Sequence, residues 1–131
     1  MFQKEFAERI AAEPHNKSYG SLSVFCQLRS DIAYEETVPK EIFKPIPKVD
    51  SAIISIYPKP SELSKDELRQ IEKMVKSIFT QRRKKLHNVL ANIFKDISWQ
   101  GLGLDLDQRP ENLSPDDFVR VYRFLSASRG V

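Results

Sequence analysis

The prolines in the middle of the chain most constrain what it can fold into. Pro39, Pro45 and Pro47 lie between two β-rich runs at residues 32–38 and 52–57. Because proline fixes φ and lacks a backbone N–H, it excludes regular strand pairing in this connection and stiffens it. The runs predict two strands joined by a rigid loop, the second strand being covered on both faces. Since an isolated strand pair is marginal in water, this pair suits the edge of a larger sheet.

The residues before the first strand predict two short helices. Residues 2–12 have the pattern of a strand end that runs into a helix. Residues 18–29 predict a second helix that buries Leu22, Phe25 and Leu28, because these side chains recur at helical spacing.

A helical part follows the prolines of residues 58–61, which end the second strand and read as a linker. Ser64 and Glu67 have the spacing of a capping box, and Leu63 and Leu68 that of a hydrophobic staple, so a helix is predicted to begin here. The predicted buried stripe of this helix comprises Leu68, Ile71, Met74, Val75 and Ile78.

Two more helices are predicted in this part. The last begins at Ser114 and has a second staple, formed by Leu113 and Phe118. Its predicted inner face comprises Phe118, Val121, Tyr122 and Leu125; the middle helix is predicted to bury Leu86, Val89, Leu90, Ile93 and Phe94. The sequence therefore predicts two domains, an α/β part at residues 1–60 and an all-α part at residues 61–131.

Composition excludes several classes of protein. The chain of 131 residues is 40% apolar, yet it contains no apolar run near the roughly 20 residues that cross a bilayer. We expect an intracellular, cytoplasmic protein with no metal. Cys26 is the only cysteine, which fits a reducing compartment, and we expect it to be buried. His15 and His87 lack partners at the spacing of a catalytic triad or a zinc site.

The strongest chemical signal in the helical part is a basic run, Arg82, Arg83, Lys84 and Lys85. We expect it in the first turn of a helix that Thr80 or Gln81 caps. The helix dipole disfavours cations there by about 0.3–1 kcal/mol each, so local stability does not explain the run. A phosphate-rich partner explains it, because Arg and Lys both bind phosphate. The alternatives are a solvated face or a helix that continues from Phe79.

Three segments of the chain resemble one family. Residues 43–51 read Phe-Lys-Pro-Ile-Pro-Lys-Val-Asp-Ser, residues 1–10 read Met-Phe-Gln-Lys-Glu-Phe-Ala-Glu-Arg-Ile, and residues 81–86 read Gln-Arg-Arg-Lys-Lys-Leu. In this order and spacing they are similar to motifs of the ribosomal RNA adenine dimethyltransferase (KsgA-like) family. The resemblance covers nearly the whole chain but only the C-terminal half of the family.

The resemblance implies roles for several residues. Phe43 matches the aromatic residue that packs on the target adenine in relatives, although a lone phenylalanine beside a proline loop is more often part of a core. Arg82, Arg83 and Lys84 match an rRNA-facing motif residue by residue, and Lys85 matches it more loosely. Lys48 would either contact phosphate or pair with Asp50, which we expect to brace the loop.

The family's Gly-rich loop, its acidic ribose ligand and its Asn-Leu-Pro-Tyr motif are not in this sequence. The resemblance therefore implies the C-terminal strands and helices of a Rossmann-like S-adenosylmethionine methyltransferase domain, followed by a small helical domain. The expected partner is small-subunit rRNA, and the expected state is a monomeric fragment. Alone, we expect it neither to bind S-adenosylmethionine nor to methylate. The alternatives are a non-catalytic nucleic-acid-binding module and an inert fragment.

Overall fold

The structure is a computed structural model, and it describes residues 1–129. The chain divides into two compact units, one of residues Met1–Ser61 and one that begins at Glu62. Each unit has its own secondary structure and its own buried side chains, and each is described separately.

The first unit is a small sheet with two helices. Its elements are β1 (Phe2–Gln3), α1 (Lys4–Ala11), α2 (Ser21–Gln27), β2 (Ser30–Val38), a 3-10 turn (Lys40–Ile42) and β3 (Ser51–Pro58). The strand order is β1-β3-β2, and both neighbouring pairs are antiparallel. The strands β2 and β3 pair along their whole length, with a bulge in β2 between Tyr34 and Glu36. The predicted strand pair with its intervening proline loop is present.

Polar side chains join the two helices of this unit. The end of a helix leaves backbone carbonyls without partners. Here the Gln27 amide of α2 donates to the carbonyls of Ile10 and Ala12, at 2.9 and 2.8 Å. The buried Ser23 hydroxyl donates to the carbonyl of Arg9. These bonds close the end of α1 against α2.

The predicted buried face of α2 is wrong in part. Leu28 is buried, but Leu22 and Phe25 are only half-buried. The helix is shorter than predicted, and the contacts with α1 turn Ser23 and Val24 inward instead. Cys26, which we expected to be buried, is also only half-buried.

The prediction that the second strand is covered on both faces is wrong for this chain. Ala52 is fully buried, but Ile53, Ile56 and Tyr57 are 37%, 46% and 61% exposed. Successive side chains of a strand point to opposite faces, so Ile53 and Tyr57 lie on one face of β3 and Ile56 on the other. The two helices of this unit leave these side chains partly uncovered, and neither face of β3 is fully covered beyond Ala52.

The second unit, as far as residue 129, contains three helices. They are α3 (Lys65–Phe79), α4 (Leu86–Ile93) and α5 (Pro115–Ser128), with a 3-10 turn (Pro110–Asn112) before the last. Both predicted helix starts at serine are confirmed. The Glu67 N–H donates to Ser64 Oγ at 3.1 Å, and the Ser64 N–H donates to the Glu67 carboxylate at 3.0 Å. Ser114 and Asp117 exchange the same pair of bonds at the start of α5.

Large apolar side chains fill the core of this unit. The rings of Phe79 and Phe118 lie 5.5 Å apart between α3 and α5, and the Tyr122 hydroxyl donates to Gln70 at 2.5 Å. The predicted stripes of α3 and α5 are buried as expected. On α4, Leu86, Val89 and Leu90 are buried, whereas Ile93 and Phe94, which we also expected inside, are half-buried. The buried residues of the unit are Leu68, Ile71, Met74, Val75, Ile78, Leu86, Val89, Leu90, Leu102, Pro110, Leu113, Phe118, Val121, Tyr122 and Leu125.

Candidate nucleic-acid interface

The proline loop between β2 and β3 presents Phe43. The aromatic residue directly follows the 3-10 turn, and its N–H donates to the Lys40 carbonyl at 3.2 Å. The Phe43 side chain is half-buried, whereas Ile42 and Ile46 on either side of it are 67% and 61% exposed. The ring is therefore neither a core residue nor fully solvated.

Asp50 braces this loop from both ends, as the sequence predicted. Its carboxylate accepts a hydrogen bond of 2.9 Å from the Lys40 N–H, across the mouth of the loop. Its carbonyl accepts another, of 3.0 Å, from the Lys4 N–H at the start of α1. Two fixed ends and the prolines between them limit how far the loop backbone moves. Lys48 is exposed on the same loop.

The prediction that the basic run occupies the first turn of a helix is wrong. Residues 82–84 lie in the connection between α3 and α4, and Lys85 is the N-cap residue of α4. The first amides of α4 explain this boundary, because the N–H groups of Leu86 and His87 donate to the carbonyls of Gln108 and Leu106, at 2.7 and 3.0 Å. A loop that is distant in the sequence thus accepts hydrogen bonds from the first N–H groups of α4. The cations of the basic run precede the helix.

The four cations of this run have different surroundings. Arg82 Nη2 lies 3.3 Å from Glu111 Oε2, and its guanidinium lies 5.8 Å from the centroid of the Phe79 ring. Lys85 Nζ lies 4.0 Å from the Asp107 carboxylate. Arg83 and Lys84 are exposed, and neither makes an ion pair within the described chain.

The structure therefore separates the ion-paired cations of the run from the exposed ones, a distinction that the sequence does not show. Glu111 and Asp107 lie more than 20 residues from the run, and no periodicity or motif indicates these pairs. Arg83 and Lys84 are the two cations of the run that are available to a phosphate without first breaking an ion pair. The residues singled out in the first unit, Phe43 and Lys48, share the proline loop.

The described residues do not fit the cradle of a nucleotide-type cofactor. Such a cradle needs glycines between a strand and a helix. Gly20 lies between α1 and α2, and Gly101 and Gly103 lie between α4 and α5. The latter two have φ values of +89° and +82°, and a Cβ on Gly103 would lie 3.1 Å from Arg120 Nη1. The space at Gly103 is taken by that side chain.

Other kinds of site are not found in the described part of the chain. No group of three or more His, Cys, Asp or Glu side chains within residues 1–129 is placed to hold a metal ion. None of the described helices has the length and apolar character needed to cross a membrane.

Comparison with known proteins decides the family. The model of the family described as ribosomal RNA adenine dimethylase matches residues 1–127. The chain belongs to this family. The resemblance found in the motifs of residues 1–10, 43–51 and 81–86 is therefore confirmed across nearly the whole chain.

Curated dimethylase-family relatives are substantially longer than this chain. It is 40% identical over 127 residues to the ribosomal RNA small subunit methyltransferase A of Dechloromonas aromatica, covering 96% of this chain and 50% of that protein. It is 46% identical over 128 residues to the protein of the same name from Francisella tularensis subsp. novicida, covering 96% and 49%. The chain thus spans about half the length of the curated relatives it matches.

Solved structures support the same fold. A dimethyladenosine transferase from Plasmodium falciparum has a TM-score of 0.81 at 24% identity, over 99% of this chain and 56% of that one. The 23S rRNA methyltransferase ErmE has a TM-score of 0.64 at 23% identity, over 95% and 52%. At these identities the two structures establish the mixed α/β fold of this dimethylase-family chain.

Proposed function

We propose that this chain is the rRNA-docking and adenine-stacking part of an rRNA adenine dimethyltransferase. The intact enzyme would transfer methyl groups from S-adenosylmethionine to adenosines near the 3′ end of small-subunit rRNA, during ribosome biogenesis. The family match over residues 1–127 carries this proposal. In it, residues 1–60 are the C-terminal part of a Rossmann-like methyltransferase domain, and residues 61–131 are the helical rRNA-binding domain.

The proposal that the substrate is small-subunit rRNA, and not another rRNA, depends on the curated relatives. Both relatives at 40% and 46% identity are named small-subunit methyltransferases. ErmE is named for 23S rRNA, but its 23% identity supports a common fold and no common substrate. We therefore assign small-subunit rRNA to this chain.

Phe43 is proposed to stack on the target adenine. An enzyme that modifies a base takes it out of the stack, and each aromatic contact with a base stabilises the complex by about 1–3 kcal/mol. The half-buried ring and the loop braced by Asp50 support this role. Because the loop is already held, little conformational entropy is lost when the base arrives.

The basic run is proposed to dock rRNA through its phosphates. Arg83 and Lys84 would bind phosphate directly, because both are exposed and unpaired within residues 1–129. Arg82 would hold the connection in place through Glu111 and would bind phosphate only if that pair opened. Lys85, beside Asp107, and Lys48, on the proline loop, would add flanking positive charge.

Alone, this chain is proposed not to methylate. No described segment fits the cofactor, and the curated relatives are about twice as long. The part of the relatives that this chain does not match would hold S-adenosylmethionine and the opposite face of the adenine pocket.

Radiolabelled methyl transfer to undermethylated small ribosomal subunits tests this function. The chain is assayed alone and then mixed with the portion of the Francisella tularensis relative that lies outside the 128 matched residues. We expect activity in the mixture only, and a loss of at least tenfold with Phe43→Ala. The matched control is Ile46→Ala, which removes an exposed apolar side chain of the same loop. Activity of the chain alone would contradict the proposal; rRNA binding without methylation by the mixture would favour a non-catalytic module.

A further inference from the structure

Three aromatic side chains of the second unit form a cluster. Trp99, in the connection that follows α4, lies between Phe94, the C-cap residue of α4, and Phe124 on α5. Its ring centroid is 5.9 Å from that of Phe94 and 5.5 Å from that of Phe124. The ring planes of Trp99 and Phe124 differ by only 24°, so these two rings are stacked. We call the three residues the aromatic cluster.

The aromatic cluster is not part of the core of this unit. All three residues are half-buried, whereas Phe118 of the core is fully buried. Within residues 1–129, the indole Nε1 of Trp99 is buried and has no hydrogen-bond partner. The part of this indole that faces solvent is therefore ring carbon and not the N–H. Contiguous exposed apolar surface of this kind is typical of binding sites.

Two arginines lie beside the aromatic cluster. The Arg129 guanidinium is 5.8 Å from the centroid of the Phe94 ring. Arg120 lies one helical turn before Phe124 on α5, so the two side chains are on the same face of the helix. Both arginines are exposed, and neither makes an ion pair within residues 1–129. Both are available to the phosphates of a molecule that contacts the cluster.

The segments that carry the cluster have an excess of positive charge. Residues 94–103 and 120–129 contain four cations and a single acidic residue, Asp96; the cations are Lys95, Arg120, Arg123 and Arg129. This charge favours an anionic partner over a neutral or cationic one. An apolar protein segment would fit the rings but would gain nothing from the cations.

Exposed rings with cations around them are the combination that binds single-stranded nucleic acid. Every base has a π face that stacks on an aromatic side chain, while Arg and Lys bind the phosphates of the same strand. An acidic peptide without aromatic residues would use the cations alone. Single-stranded RNA is therefore the anionic partner that uses both features of this surface.

The aromatic cluster and the basic run lie at opposite ends of α4. Lys85 is the N-cap residue of this helix, and Phe94 is its C-cap residue. At about 1.5 Å per residue, the helix separates these two positions by about 14 Å along its axis. The cluster is thus a separate site, which a neighbouring stretch of the same strand can reach.

We propose that the aromatic cluster binds an unpaired base of single-stranded RNA. The base stacks on the exposed part of the Trp99 and Phe124 rings, and Arg120 and Arg129 bind the phosphates on either side of it. This site is additional to Phe43 and to the basic run, and it accepts any base because every base stacks. The inference rests on the proposed function for RNA as the ligand.

Fluorescence of the full chain tests this site directly, because Trp99 is the only tryptophan. The probe is an oligouridylate of about 12 nucleotides. The matched control is an abasic ribose-phosphate strand of the same length, which keeps the charge and lacks the bases. We expect saturating oligouridylate to quench Trp99 and the abasic strand to leave its emission nearly unchanged. Equal effects of the two strands, or binding of oligouridylate without quenching, would overturn the proposal.

Removal of the rings provides a second measurement. Trp99→Leu and Phe124→Leu keep an apolar side chain but lose a π face, so each should bind labelled oligouridylate about fivefold or more weakly in fluorescence anisotropy. Phe25→Leu changes a half-buried phenylalanine of α2 and is the control, with unchanged affinity expected. Far-UV circular dichroism verifies that each variant is folded. Equal affinity of folded Trp99→Leu and Phe25→Leu would overturn the proposal.

Two further outcomes are distinguishable from these. Quenching by polyglutamate as strong as that by oligouridylate would assign the cluster to an acidic protein segment and overturn the proposal. The methyl-transfer assay of the mixture separates this inference from the proposed function. Quenching by oligouridylate alone, without methylation by the mixture, supports the stacking site and contradicts the function; methylation without quenching does the reverse.

Discussion

At the scale of single residues, surroundings decide what each cation of the basic run does. Arg82 lies against Phe79 and pairs with Glu111, whereas Arg83 and Lys84 extend into solvent. The sequence predicted a phosphate-binding run but did not distinguish its ion-paired members from its exposed ones. It did not do so because Glu111 is 29 residues away along the chain.

Arg83 and Lys84 are expected to carry the salt-dependent part of rRNA binding. Each neutralised phosphate contributes about −0.7 to −0.9 to the slope of log K against log salt concentration. The double variant Arg83→Ala/Lys84→Ala should therefore bind more weakly and flatten the slope by about 1.5, if each cation contacts one phosphate. Filter binding at several salt concentrations between 50 and 200 mM measures this slope. Over that range, a protein that makes about 6–10 phosphate contacts loses about 10³–10⁵ in affinity.

The control for that experiment is Lys65→Ala/Arg69→Ala. It removes two exposed cations at the opposite end of α3 and leaves the net charge equal to that of the test variant. We expect a nearly unchanged slope for the control. Equal slopes for the two double variants would contradict the assignment of docking to Arg83 and Lys84.

Arg82 is expected to act on stability. Its guanidinium and Glu111 are about one-third exposed, so solvent screens the pair, which should contribute about 0.2–1 kcal/mol. Contact with Phe79 adds to this. Arg82→Ala should lower the free energy of unfolding by about 1 kcal/mol. Arg83→Ala, at an exposed position, should change it by less than about 0.5 kcal/mol, and urea unfolding of the two variants compares them.

At the scale of helices and strands, the sequence predicts features whose partners lie within a turn. The capping boxes at Ser64 and Ser114 involve residues three positions apart, so a local pattern suffices. The start of α4 was predicted wrongly because its first two N–H groups donate to carbonyls that lie 22 and 19 residues further along the chain. The buried face of α2 was wrong for a related reason, since polar contacts with α1 select it.

The capping box of α3 gives a local prediction. Ser64→Ala removes the acceptor of the Glu67 N–H and should lower the free energy of unfolding by about 1 kcal/mol. Ser77→Ala is the matched control, because Ser77 is an exposed serine in the last turn of the same helix and alanine is the better helix former. We expect Ser77→Ala to be neutral or slightly stabilising in urea unfolding. Similar losses for both variants would contradict a specific role for the cap.

At the scale of the whole molecule, the two units differ in how much apolar surface they bury. The second unit buries large side chains from all three helices, including Phe118, Ile71 and Leu86. The first unit fully buries Tyr19 and Val24, but three of its seven buried apolar residues are alanines, and large apolar side chains of β3 are exposed. A unit that buries less apolar surface gains less hydrophobic stabilisation on folding.

The first unit should therefore unfold at a lower urea concentration than the second. Trp99, the only tryptophan, lies between Phe94 and Phe124, with ring centroids 5.9 and 5.5 Å away, so its fluorescence reports the second unit. Far-UV circular dichroism reports both units. We expect the dichroism transition to begin before the fluorescence transition, because two units of unequal stability violate two-state behaviour. Transitions that coincide in the chain alone would contradict unequal stability of the two units.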